Sequence, residues 1–134
     1  MSPAQAAAAY EATLQGYYGA PAIDPDRPLF DVTLLGIGED GHTASLFPHH
    51  EALDERRRWA VAVIAPGSLA RVTLTFPVLN SSRDAAFLAT GEAKRDVVAR
   101  ALAGDGGMPA ARIHPAGRLH WFTDQAATPD GRTG

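Results

Sequence analysis

Apolar and polar positions divide the chain into segments of clearly different period. Residues 2–19, SPAQAAAAYEATLQGYYG, predict a helix, with Ser2 as N-cap, Pro3 at the first helical position and Gly19 as the stop. Three prolines in APAIDPDRP break it, and FDVTLLG then reads as a strand with Val32, Leu34 and Leu35 largely buried. WAVAVIAP predicts a second strand. RVTLTF alternates, with Val72, Leu74 and Phe76 on one face and Arg71, Thr73 and Thr75 on a polar face. DAAFLAT predicts a fourth strand and RLHWFTD a fifth. Between them GEAKRDVVARALAG forms a helix whose apolar stripe is Val97, Val98, Ala101 and Leu102, closed by Gly104. Strands mixed with helices and buried on both faces predict an α/β layered fold with a mostly parallel sheet. Residues 1–127 read as a single domain and TPDGRTG, residues 128–134, as a disordered tail.

Composition narrows the function classes. A chain of 134 residues, 46% of them hydrophobic, is long enough for one core. Its longest apolar runs, such as Trp59 to Pro66, fall far below the roughly 18 residues of a membrane span, and no basic-then-apolar leader opens it. The absence of cysteine removes disulfides, thiolate metal sites and a thiol nucleophile, and is compatible with a cytoplasmic setting. A formal charge of −3 offers no basic field for nucleic acid, so an anionic ligand must be held by a few local cations.

Candidate chemistry concentrates in LLGIGEDGHTASLFPHH. Gly36, Gly38 and Gly41 match the spacing of a dinucleotide-binding turn, but Glu39 and Asp40 place negative charge where a pyrophosphate would sit, and Pro48 interrupts the helix that should follow. Those glycines read equally well as residues of a tight turn. His42 changes the picture. An imidazole changes charge close to neutral pH, so it can take a proton from water, and Asp40 two residues earlier can fix its tautomer. A metal site drawn from Asp40, His49 and His50 has the wrong ligand spacing. Lys94 lies in the first turn of a predicted helix, where a cation opposes the helix dipole unless an anion shares the site. Arg71, at the head of an alternating strand, is a second candidate anion contact; a solvated surface is the competing reading for both cations.

Three motifs in order, LLGIGEDGHTASLFP, RVTLTFPVLN and FLATGEAK, resemble the 6-phosphogluconolactonase family, and weaker similarity runs from AAAAYEATL to LHWFTDQAA. The chain resembles only the C-terminal half, or somewhat more, of a family member. The family's early Gly-Gly-Ser-Thr-Pro type phosphate loop has no counterpart, since Gly106-Gly107 follows a helix rather than a strand. His49 stands where the family usually has glycine. The resemblance implies a Rossmann-like fold lacking its N-terminal part, and a hydrolase that opens 6-phosphoglucono-δ-lactone with no metal or organic cofactor. It implies His42 as general base, Asp40 as its neighbouring acid, Arg71 and Lys94 as substrate or phosphate contacts, and Gly38 and Gly41 as the turn facing the substrate. Two alternatives stay open: a related glucosamine-6-phosphate deaminase, against which TASLFP speaks, and a non-catalytic remnant. An exposed strand edge at FDVTLL is expected to promote self-association.

Overall fold

The computed structural model of the chain describes residues 1–67 and 69–130. Helix α1 (Pro3–Tyr18) begins at Ser2, whose side chain accepts from the N–H of Gln5 while the Gln5 side chain accepts from the N–H of Ser2. This capping box satisfies two donors that the helix cannot satisfy itself. Gly19 ends the helix in the left-handed region. Ala7, Leu14 and Tyr18 are its buried residues.

Strands β1 (Phe30–Leu35), β4 (Ser82–Ala89) and β5 (Leu119–Thr123) form a parallel sheet in the order β1-β4-β5, with Leu35 opposite Phe87 and Phe87 opposite Trp121. The Phe87 and Trp121 rings stack at 4.3 Å on the inner face. The short helix α2 (Phe76–Leu79) leads into β4, and helix α3 (Arg95–Leu102) follows it. Val97, Val98 and Ala101 of α3 join Leu35, Phe87 and Ala89 in the main core, as the stripe predicts. The chain is thus an α/β protein with a parallel sheet at its centre.

Strands β2 (Ala60–Ala65) and β3 (Leu69–Leu74) do not enter that sheet. They pair antiparallel as a separate ribbon, Val63 opposite Arg71. Only three residues separate them in the sequence, too few for the crossover of a dozen residues or more that a parallel pairing would need. Helix α1 packs on this ribbon, and Tyr18 meets Trp59 edge-on at 5.8 Å in a second, smaller core with Leu14, Leu29 and Val78.

Two burial expectations fail, each for a local reason. Along RVTLTF the polar face turns inward at two positions: Thr73 of β3 accepts from the N–H of Ser45, and Thr75, just after that strand, donates to the carbonyl of Arg58. Both hydroxyls are satisfied, so their burial carries little penalty. On β1, Val32 and Leu34 are 58% and 68% exposed and only Leu35 is buried. β1 is an edge strand, and Val32 and Leu34 share a sheet face with Leu88 and Phe122, which are 50% and 60% exposed. A helix covers only the opposite face. Of the expected tail, Thr128 bonds to Asp124 through its hydroxyl and Asp130 approaches Arg95 at 3.4 Å; residues 131–134 lie outside the described residues.

An apolar sheet face continuous with an unpaired strand edge favours association with another copy. At tens of micromolar the chain is expected to scatter light as dimers or larger species, and Leu34→Lys to shift it toward monomer while changing stability by only about 0.5 kcal/mol, as for exposed substitutions generally. A parent chain that is monomeric under those conditions contradicts this.

Candidate active site

Loops after the three parallel strands meet at the carboxyl edge of the sheet, the side on which α/β proteins bind ligands. The loop after β1 carries Gly38 to His42, the loop after β4 carries Gly91 to Lys94, and the loop after β5 begins at Asp124. Lys94 Nζ donates to the carbonyl of Ile37 at 2.5 Å, tying the second loop to the first. The Asp124 carboxylate accepts from the N–H of Gly91 at 3.1 and 3.2 Å, tying the third to the second.

Within the first loop the chain reverses tightly. Gly38 donates its N–H to the carbonyl of His42 and Gly41 donates to the carbonyl of Gly38, both at 2.9 Å. The Gly41 carbonyl accepts from Ala110, and Thr43 Oγ1 donates back to the Gly36 carbonyl at 2.8 Å. Glycine is required at two positions. A Cβ at residue 38 would lie 2.1 Å from His42 Cε1, and one at residue 41, where φ is +89°, would lie 2.2 Å from Cγ of buried Met108.

This reversal presents an acid and an imidazole to each other. His42 Nδ1 is 2.6 Å from Asp40 Oδ1, and the same oxygen accepts the His42 backbone N–H at 3.0 Å. Burial raises the tendency of Asp40 to stay protonated, but the His42 N–H, its ring and its charge together outweigh this and hold the carboxyl below its ordinary 3.8. An ionised Asp40 accepts the proton on Nδ1, which leaves Nε2 as the basic nitrogen. Nε2 has no protein partner among the described residues, and the His42 side chain keeps 30% of its exposure. Phe47, buried in the core, lies against the imidazole with 4.7 Å between centroids and the two rings tilted by 37°.

A family model for glucosamine-6-phosphate isomerases/6-phosphogluconolactonase matches residues 1–121. The chain belongs to that family. The human 6-phosphogluconolactonase is 47% identical over 109 residues, covering 75% of this chain and 41% of that protein. That of Nostoc sp. is 41% identical over 130 residues, covering 94% of this chain and 52% of that one. The solved structure of the devB protein superimposes with a TM-score of 0.80 at 30% identity, covering 95% of this chain and 54% of its own. The chain therefore spans about half the length of the relatives it matches.

Against the family-derived expectations, the structure brings Asp40, His42, Gly38, Gly41 and Lys94 together. Gly38 and Gly41 shape the turn, and their own N–H groups are used inside it; the Glu39 N–H has no acceptor among the described residues. Lys94 belongs to a 3₁₀ turn, Glu92–Lys94, rather than to the first turn of α3. The carboxylate at the start of that turn is the protein's own Asp124, so an external anion would meet the two remaining donors of Lys94 rather than the Gly91 amide. Arg71 stands on the same face of β3 as Thr73, with no ion pair or hydrogen bond to its guanidinium among the described residues. Ser45 donates its backbone N–H to Thr73 Oγ1, and Asn80 Oδ1 accepts the His114 N–H. Among the described residues no group of three or more histidines and acids is placed to hold a metal, and His50 Nδ1 caps a short 3₁₀ helix by accepting from Ala52. Phe47, Met108 and Asp124 were not legible as site residues, although Phe47 sits inside a motif.

Two measurements test this geometry. Asp40, whose carboxyl titrates below 3.8, holds its pair with His42 above that pH and loses it as the pH falls through the lowered value. In His42→Ala the ring and charge contributions disappear, so the carbon-detected NMR midpoint of Asp40 is expected to rise. An unchanged midpoint would separate the two residues. Gly38→Ala is expected to displace the imidazole from Asp40 and raise the same midpoint, with the rest of the NMR spectrum preserved.

Proposed function

We propose that this chain carries the reacting half of a 6-phosphogluconolactonase, which hydrolyses 6-phospho-D-glucono-1,5-lactone in the pentose phosphate pathway. The observation that carries it is the 2.6 Å pair of His42 Nδ1 with Asp40 in a glycine-built turn at the carboxyl edge of the sheet, with Nε2 open. The names of the human and Nostoc relatives support the same substrate class.

In this mechanism Nε2 of His42 takes a proton from water as that water attacks C1 of the lactone, and Asp40 stabilises the imidazolium that forms. The carbonyl oxygen gains negative charge, for which the Glu39 N–H, without an acceptor among the described residues, is a candidate donor and the Arg71 guanidinium a second one to be tested. The tetrahedral intermediate then collapses. The C1 bond to the ring oxygen breaks, and His42 returns its proton to that oxygen, giving 6-phosphogluconate. Every atom comes from water and lactone, so the scheme needs no metal or organic cofactor. Lys94, anchored by one of its three donors to Ile37, offers the other two to the phosphate. We place the reaction in the cytoplasm, in keeping with a cysteine-free sequence.

The test is hydrolysis of the lactone above its spontaneous rate, by the chain as it stands and by the chain preceded by the N-terminal half of the Nostoc relative. The longer protein is expected to be the active one. In it His42→Ala should lose about 10² to 10⁴-fold in kcat, the usual worth of a general base. A loss within about threefold removes His42 from the chemistry. Release of ammonia from glucosamine 6-phosphate in place of lactone opening would assign the deaminase reaction instead. Lys94→Ala should chiefly raise KM, by roughly 10 to 150-fold for a lost charge-assisted contact of about 1.5 to 3 kcal/mol. An unchanged KM returns Lys94 to a tether for Ile37 alone.

A further inference from the structure

Away from the His42 turn, the segment before β2, helix α2 with Asn80 at its end, and the segment before β5 border a hollow of about 300 Å³ lined by Arg56, Phe76, Pro77, Asn80, Arg112 and His114. It opens into a second, of about 320 Å³, which shares Pro77, Asn80 and His114 and continues over Ile23, Pro25 and Pro28. Neither is lined by His42, Asp40, Lys94 or Arg71. Together they form one groove with a cationic end and an apolar end.

The cationic end is built rather than incidental. The Arg112 guanidinium carbon lies over the Phe76 ring, 4.7 Å from its centroid, an aromatic contact that attracts the cation. Asn80 holds the same segment by donating to the Arg112 carbonyl at 3.4 Å and accepting the His114 N–H at 2.7 Å. Arg56 uses one guanidinium nitrogen on the carbonyls of Leu53 and Glu55. Neither arginine has an ion-pair partner among the described residues. The nearby Glu55 carboxylate is turned to the backbone N–H groups of Arg57 and Arg58. No acid lines this groove; on its other side Arg112 borders a hollow that contains Glu51 and Asp54, with which it makes no ion pair. A guanidinium held beside a ring and without an ion-pair partner presents a fork suited to a carboxylate.

We propose that this groove is a second binding site, for a small organic acid whose carboxylate meets Arg56 and Arg112 and whose hydrocarbon body lies along Pro77, Pro28, Pro25 and Ile23. The site is separate from the lactone site and does not depend on it. Its size is that of small-molecule pockets generally, roughly 300 to 1,000 Å³.

Equilibrium dialysis of 3-phenylpropionate against the full chain tests it, because the readout is independent of the chain's association state. Saturable binding of one molecule per chain is expected. Arg112→Gln and the exposed Arg56→Gln should each weaken it about tenfold, the loss of one charge-assisted contact, while the neutral 3-phenylpropanol should bind at least about tenfold more weakly than the acid. His42→Ala and Lys94→Ala should leave it unchanged. Arg56 is exposed and belongs to neither buried core, so its variant reports on binding even where Arg112→Gln disturbs Phe76. Binding that persists in both arginine variants, that Lys94→Ala abolishes, or that never saturates overturns the proposal.

Discussion

The turn after β1 can exist only because residue 38 has no side chain. The His42 ring occupies the volume that a methyl group there would need, and the ring is held in that volume from three directions: by Asp40 on Nδ1, by Phe47 on its face and by the Gly38 peptide bonded to the His42 carbonyl. Removing any one restraint would release the imidazole into a loop that is otherwise open. Asp40 and His42 are therefore positioned by close backbone approach more than by burial, which explains why both side chains keep substantial exposure while the distance between them remains short.

The three carboxyl-edge loops extend this restraint into the sheet. Lys94 grips the peptide immediately before Gly38, and Asp124 grips Gly91 at the start of the turn that carries Lys94. A displacement of β5 would thus be felt at Lys94, and one of Lys94 at the His42 turn. Because the links are side chain to backbone, they tolerate changes in the surrounding sequence but not in their own residue types.

Most elements were legible because the signals are local. The capping box at Ser2, the stripe on α3 and the alternation in the strands all act within a few residues, and the pairing of Asp40 with His42 spans only two. What escaped depends on neighbours distant in the chain. Val32 and Leu34 carry a buried-strand pattern, yet their exposure follows from β1 lying at an edge, with the chain covering about half of its relatives' length. Thr73 and Thr75 look outward by polarity, but Ser45 and Arg58 bring partners that make an inward hydroxyl favourable. Phe47 and Met108 are ordinary apolar residues until Gly41 and His42 are placed beside them. Pattern reveals periodicity; it does not reveal which polar group another loop will supply.

The buried hydroxyl of Thr73 adds a hydrogen bond between two parts of the molecule that also share the main core, since it takes the Ser45 N–H from the loop after β1 and belongs to the ribbon of β2 and β3. The Ser45 amide hydrogen is therefore shielded only while the ribbon is seated against that loop. Its exchange with solvent is a clock for the lifting of the ribbon, read at a position outside the ladders of the parallel sheet.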